Sequence, residues 1–274
     1  AGARGRNVAL KLFNRDVPLP RVIDEQSYAA SAHHPGLVRV DSYNQWNDGR
    51  YYIAFDWVSE RSLRDEINDG IRPDIDSFVR GAEQLLDAIS SLHLNVEDGV
   101  TRPILHNDIK PENILLGHFR RLVLIDFGAA SEPHVGTYEG TEGYVAPDLR
   151  LGKDRKYSID GDIYALSTSL HEWLLGCRPV AETSGTSPEP IMLLKWLRQG
   201  CSLDATDRYS SAQEMRSALR EALVQAEIAK GQEIDNGTKQ ALEAAKETEP
   251  PRPERVTVTV TQTNRSGWEN DDLG

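Results

Sequence analysis

Two aspartates and an asparagine define the chemistry this chain can do. Asp108 and Asn113 stand five residues apart in His106-Asn107-Asp108-Ile109-Lys110-Pro111-Glu112-Asn113, and a further aspartate opens Asp126-Phe127-Gly128. A loop with a carboxylate and a carboxamide at that spacing, followed by a second carboxylate just past the next strand, gathers hard oxygen donors in one place. Such oxygens suit Mg²⁺, and a carboxylate beside a hydroxyl can orient it or take its proton. Phosphoryl transfer asks for both. A lone Asp-x-x-x-x-Asn is as readily explained by helix caps and turns. Two motifs in this order, each beside an apolar run, are not.

The elements that must position them can be read from periodicity. Residues 8–13, 37–43 and 51–58 are β-rich, the last two separated by the turn residues Asn47-Asp48-Gly49. Residues 21–32 have a helical pattern that ends near His34-Pro35. Residues 62–68 form a short helix. Phe78, Ala82, Leu85, Leu86, Ile89 and Leu92 recur at helical spacing, which predicts a long amphipathic helix over 74–94. Short strands are expected at 114–116 and 122–125 around Gly117, and helices at 162–175, 191–198 and 211–229. The pattern is α+β: a small β-rich part, residues 1–58, followed by a mainly helical part, residues 59–229. From Lys230 the composition turns to Glu, Lys, Gln, Thr and Pro, so 230–274 is expected to be a linker or disordered tail. Within it, 256–261 alternates Val and Thr as an edge strand would.

Composition narrows the function. With 274 residues and a formal net charge of −12, an acidic surface repels nucleic acid and anionic membranes. No run approaches the ~20 apolar residues of a membrane span. Cys177 and Cys201 have no paired spacing, so neither zinc nor a structural disulfide is expected, and a reducing cytoplasmic setting fits. The chain opens on Ala1 rather than Met, which reads as a piece of a longer protein with further domains outside both ends.

The two motifs resemble the catalytic loop and magnesium loop of eukaryotic-like (Hanks-type) serine/threonine protein kinases, including bacterial members. The resemblance covers roughly residues 5 to 229 and implies a two-lobed kinase fold that transfers the γ-phosphoryl group of ATP, with Mg²⁺, to Ser or Thr hydroxyls of protein substrates. By that resemblance Asp108 orients or deprotonates the acceptor hydroxyl, Lys110 steadies the transferred phosphate, and Asn113 and Asp126 hold the metal. Val8-Ala9-Leu10-Lys11 is similar to the strand whose lysine meets the α- and β-phosphates. Glu25 is the candidate partner for Lys11, with Asp24 the alternative. Residues 51–59 resemble the strand leading into the adenine hinge. Phe55 is then the gatekeeper, the Asp56 carbonyl and Val58 amide meet the adenine edge, and Ala9 and Leu115 sandwich the ring. Gly140-Thr141-Glu142-Gly143-Tyr144-Val145-Ala146-Pro147-Asp148 resembles the end of an activation segment, with Thr141 beside the catalytic aspartate and lysine. Asp162 would bond the catalytic-loop backbone, and Arg208 would pair with Asp148.

Three departures from that pattern matter. Only seven residues precede the Val8 strand, too few for a glycine-rich loop; Gly2 and Gly5 fit the turn into the strand instead. Either the chain is cut from a longer one or the protein lacks that loop. Asn107 replaces the arginine that commonly receives an activation-segment phosphate, so activity is expected not to depend on phosphorylation of Ser131, Thr137 or Thr141. Asp148 stands for a longer glutamate, so its pair with Arg208 is expected to be loose or water-bridged. Two other readings stand beside a kinase. One is a pseudokinase-like scaffold with weak or no catalysis. The other is a small-molecule phosphotransferase of similar architecture, against which Lys110 and the Gly140–Asp148 segment speak.

Overall fold

A computed structural model describes residues 7–31, 33–133, 140–151, 157–179 and 188–247. Thr137, Gly2, Gly5 and the Val/Thr alternation at 256–261 lie outside them. Contacts group the chain into two units, Ala1–Lys230 and Gly231–Gly274. In the first unit, β1 (Val8–Leu12), β2 (Val40–Gln45) and β3 (Tyr51–Asp56) form an antiparallel sheet in the order β1-β3-β2. The register sets Ala9 opposite Phe55 and Lys11 opposite Ile53. Since side chains alternate faces, Ala9 and Lys11 share one face of the sheet, while Leu10 and Leu12 are on the other, about half exposed. Helix α1 (Leu19–Ser31) buries Val22, Glu25 and Ala29, a stripe at helical spacing. It starts two residues before the expected 21, because Pro20 is tolerated in a first turn where its missing N–H has no intrahelical partner.

The second strand differs from its expected 37–43. Residues 36–38 pair elsewhere: Leu124 N donates to Gly36 O at 2.8 Å, and Val38 N donates to Leu124 O at 3.0 Å. An apolar run shows that these residues are buried but not which neighbour takes their backbone bonds.

The remainder of the unit is mainly helical. α2 (Leu63–Asn68) starts with a reciprocal cap, in which Ser62 accepts from Asp65 N and the Asp65 carboxylate accepts from Ser62 N. α3 (Ile75–His93) is capped by Asp74, which accepts from Ser77 N at 2.7 Å. Its predicted stripe from Phe78 to Leu92 is buried, and each large side chain so removed from water contributes about 1.5–3 kcal/mol. A small hairpin, β4 (Val96–Glu97) and β5 (Val100–Thr101), follows, and β6 (Ile114–Leu116) pairs antiparallel with β7 (Leu122–Leu124). Neither the hairpin nor α4 (Pro147–Leu151) was expected; both are too short to show a period. α5 (Ile159–Leu175) is buried on nearly every side from Asp162 to Trp173. α6 (Pro188–Gly200) and α7 (Ala212–Glu247) are the last described helices. Phe78 packs against Trp173 and Trp196 at centroid distances of 5.7 and 6.4 Å, joining α3, α5 and α6.

Within the expected 230–274 linker or tail, residues 231–247 continue α7 as helix to Glu247, and 248–274 lie outside the described residues. Ala, Glu, Lys and Gln favour helix by themselves, so the change of composition at Lys230 does not end the helix.

Candidate active site

Asp162, in the first turn of α5, organises the loop that carries Asp108. Its carboxylate accepts from the backbone amides of His106 and Asn107, each at 2.8 Å, and meets His93 Nε2 of α3 at 3.0 Å. Burial opposes its charge, but the His93 bond and these donors outweigh it and hold the carboxyl below its usual range. A buried charge with this many donors over-determines the loop it holds. Within that loop Asn107 sits at φ 63°, and Asp126 in the following loop at φ 70°, left-handed values that cost a non-glycine residue about 1–2 kcal/mol.

Around Asp108 the predicted residues converge. Lys110 Nζ donates to Asp108 Oδ2 at 2.7 Å, and Thr141 Oγ1 donates to Asp108 Oδ1 at 2.6 Å. Lys110 also reaches Thr141 Oγ1 at 2.7 Å. Asn113 Nδ2 donates to the Asp108 backbone oxygen at 2.8 Å and to Oδ2 at 3.1 Å. A carboxylate, an ammonium and a hydroxyl that it already orders are thus assembled beside the 140–148 segment.

The sheet supplies the opposing charge. Lys11 Nζ lies 2.6 Å from Glu25 Oε1 and 2.6 Å from Asp126 Oδ1. Glu25 is therefore the helix partner; Asp24, the alternative, is on the exposed side of α1. Burial works against the Lys11 ammonium, yet Asp126 and Glu25 prevail and raise its pKa. Burial pushes Glu25 up despite Lys11. Asp126 is also desolvated, but Lys11 and the Gly128 amide bring it below its usual range.

Beside this trio lies a cleft of 370 Å³ lined by Ala9, Lys11, Phe55, Asp56, Val58, Leu115 and Asp126 among others. Ala9, Lys11, Phe55, Asp56, Val58 and Leu115, expected around the base and the α- and β-phosphates, all line it, while Glu25, Lys110 and Asn113 do not. A larger hollow of 830 Å³ opens behind residues 56–58, between α1 and the β6–β7 turn. It contains neither Lys11 nor an acidic loop, so the smaller cleft is the candidate site.

The outer supports leave no mark in the local sequence. Arg64 of α2 donates to Glu112 Oε1 at 2.6 Å, to Glu172 Oε1 of α5 at 2.8 Å and to the Tyr144 hydroxyl at 2.5 Å, and Tyr144 in turn bonds Glu172. These partners are 48 to 108 residues apart in sequence, so no local pattern could reveal them. Gly143 has φ +95°, and a Cβ there would fall 1.6 Å from Arg178 Nη1. Only glycine suits both the backbone and the space. The loose pair expected at Asp148 is corrected: Arg208 Nη2 reaches Asp148 Oδ1 directly at 2.5 Å. The Arg208 side chain is wholly buried and also bonds Asp160 Oδ2 at 3.0 Å and Ser202 O at 2.8 Å, so it sits close enough for the shorter acid.

The donor set suits Mg²⁺ held together with phosphate. The hydrogen bonds described above use Asp126 Oδ1 and Asn113 Nδ2, which leaves an oxygen on each side chain for a metal. Among the described residues no group of three or more His, Cys, Asp or Glu side chains could hold an ion without other ligands. That is the usual arrangement for Mg²⁺, which takes one or two protein oxygens and completes its shell from water and phosphate. Among the described residues no helix is long and apolar enough to cross a membrane.

Comparison with known proteins agrees with this geometry. A family model described as "Protein kinase domain" matches residues 2–236. Serine/threonine-protein kinase PknD of Chlamydia trachomatis serovar D is 28% identical over 273 residues, covering 80% of this chain and 29% of that protein. Serine/threonine-protein kinase PrkC of Bacillus subtilis is 28% identical over 249 residues, covering 79% of this chain and 36% of PrkC. PknD of Mycobacterium tuberculosis is 29% identical over 252 residues, covering 81% and 36%. The chain thus spans about a third of the length of these relatives. Among solved structures, the Cydia pomonella granulovirus kinase PK-1 matches with a TM-score of 0.63 at 20% identity, covering 77% of this chain and 84% of that one. At that identity the likeness is one of fold, a two-lobed α+β architecture.

Proposed function

The chain belongs to the protein kinase domain family, and on that premise we propose that it transfers the γ-phosphoryl group of ATP to serine or threonine hydroxyls of a protein substrate. One observation carries this reading. Lys11, anchored by Glu25 and Asp126, lines one cleft with Asp126, Ala9 and Leu115, and the bond from Ile125 N to Asn113 O at 2.9 Å joins the residue before Asp126 to the loop of Asp108, Lys110 and Asn113.

Ala9 and Leu115 would enclose the adenine, with the Asp56 carbonyl and Val58 amide at its edge. Lys11 would neutralise the α- and β-phosphates while Glu25 keeps its ammonium in place. Asp108 accepts the proton of the acceptor hydroxyl, whose oxygen forms the new bond to the γ-phosphorus. The bond from that phosphorus to the bridging oxygen breaks, and its electron pair leaves with ADP. Lys110 offsets charge on the moving phosphoryl group, and Thr141 holds Asp108 in orientation. Asp126 and Asn113 would hold Mg²⁺, which supplies positive charge against the phosphate oxygens.

The test is transfer of labelled γ-phosphate from ATP·Mg²⁺ to a serine- and threonine-containing protein, measured alongside nucleotide-induced thermal shift. Transfer that disappears in Asp108→Asn and Asp126→Asn, with the melting transition retained, is the expected result. Transfer persisting in both variants would overturn the mechanism. Nucleotide binding without transfer by the wild type would favour a scaffold instead.

A further inference from the structure

Asn107 precedes Asp108, yet the transfer chemistry gives it no task. Its backbone φ of 63° is a left-handed value that asparagine tolerates better than most side chains. It is buried, and both hydrogens of its carboxamide can be accounted for. Nδ2 donates to Ala129 O at 2.8 Å and to Ser131 Oγ at 2.9 Å. Both acceptors follow directly after Asp126-Phe127-Gly128. The neighbouring contacts run the same way. Leu105 and Ser131 exchange two backbone bonds, of 2.8 and 3.1 Å, and Ile125 N donates to Asn113 O at 2.9 Å. His106 Nε2 lies 3.1 Å from Ile125 O. The two loops are therefore zipped by backbone at the ends and by the side chains of His106 and Asn107 between them.

We propose that Asn107 is a positioning residue that ties the Asp126 loop to the Asp108 loop, and that this tie holds without phosphate on the segment after Asp126. The proposal rests on the phosphoryl-transfer reading for its effect on rate. A carboxamide forms no ion pair, and here its acceptors are neutral and already within the chain. Ser131 Oγ passes the chain of bonds on to Glu132 O at 3.1 Å. Asparagine meets both demands of the position, since it accepts the left-handed backbone and supplies two donors from one short side chain.

The test uses the full chain after phosphatase treatment, with ATP·Mg²⁺ and dephosphorylated casein as acceptor. Asn107→Gly keeps the left-handed backbone and removes both donors. It should lower kcat about tenfold, as a small misplacement of reacting groups does. It should raise the Mg²⁺ concentration for half-maximal rate about tenfold, as loss of a residue orienting a metal ligand does. The acceptor KM should stay within about twofold, because the 140–148 segment is untouched. Amide hydrogen exchange at 125–131 should quicken about tenfold, whether or not phosphate is transferred. Ser131→Ala should shift the same quantities less, and the double variant should be no worse than Asn107→Gly alone. Unchanged exchange at 125–131, an unchanged Mg²⁺ midpoint or additive effects would overturn the tether. Near-complete loss of wild-type rate on phosphatase treatment would overturn its independence of phosphate. If wild type and Asp108→Asn alike transfer nothing, the phosphoryl-transfer reading fails, and exchange at 125–131 still decides the tether. Should Asn107→Gly not fold, exchange in Ser131→Ala decides it.

Discussion

On the helical side of the cleft, Asp108 receives bonds from Lys110, Thr141 and Asn113, and the loop beneath it is held by a carboxylate whose side chain is 1% exposed. On the sheet side, Lys11 has two carboxylate partners and its side chain is 35% exposed. Among the described residues the sheet has three strands, in the order β1-β3-β2. The helical side is thus over-determined by buried bonds, so a change at the buried carboxylate that holds its loop disturbs fold and chemistry together. The sheet side places one cation with few supports, so a change there can remove chemistry and leave the fold largely intact.

The largest effect tests the shared cleft itself. Asp108→Asn should lower kcat by about 10³-fold or more, the scale of a lost proton acceptor, with little change in melting temperature. Steady-state kinetics and a thermal melt decide it. Next comes Asp162→Ala, which leaves two buried amides and His93 without their acceptor. It should cost about 3–5 kcal/mol in chemical denaturation and reduce transfer as well. If its stability were unaffected, the helical side would not be over-determined.

Lys11→Met is the counterpart on the sheet. It should reduce transfer about 100-fold by loss of electrostatic stabilisation, yet cost much less stability than Asp162→Ala. Burial already pushes the Glu25 carboxyl up. Removing the ammonium raises it further, so the variant's stability deficit at neutral pH should shrink as the pH falls and Glu25 takes a proton. A deficit that grew with acidification would contradict this assignment.

Arg64→Ala removes charge-assisted bonds of about 1.5–3 kcal/mol and frees Tyr144 from its guanidinium. We expect the acceptor KM to rise with the ATP KM unchanged, since Arg64 holds Tyr144 of the 140–148 segment and does not line the nucleotide cleft. The smallest effect concerns pH. Burial depresses the His106 pKa below its ordinary 6.5, against the pull of Asp162. Folded His106 is then neutral while the unfolded chain takes a proton, so its contribution is full above about pH 6.5 and is lost as the pH falls. Melting temperatures recorded from pH 7.5 to 5 should decline less steeply in His106→Phe than in the wild type.

The two sides also differed in how far their sequence could be read. α3 was legible because a helix with one buried face shows its period over many residues, and the capping residues Ser62 and Asp74 stand where α2 and α3 begin. The strand at 40–45 was less so. The backbone of residues 36–38 pairs with Leu124, and an apolar run says nothing about its neighbour. The Asp148–Arg208 pair was misjudged from side-chain length alone, since the position of a buried arginine depends on all its acceptors at once.

The sequence by itself determined which groups could act: a carboxylate, a carboxamide and a lysine in one loop, a second carboxylate after the next strand, and a lysine in an apolar strand. Residue types and short spacings carry that information because loops and strand periods are local. Only the tertiary structure decided that Glu25 rather than Asp24 meets Lys11, that Arg64 gathers Glu112, Tyr144 and Glu172, and that Asn107 bonds Ala129 and Ser131. Those contacts join residues 14 to 108 positions apart. They are settled by how helices and strands pack, and no pattern along the chain encodes them directly.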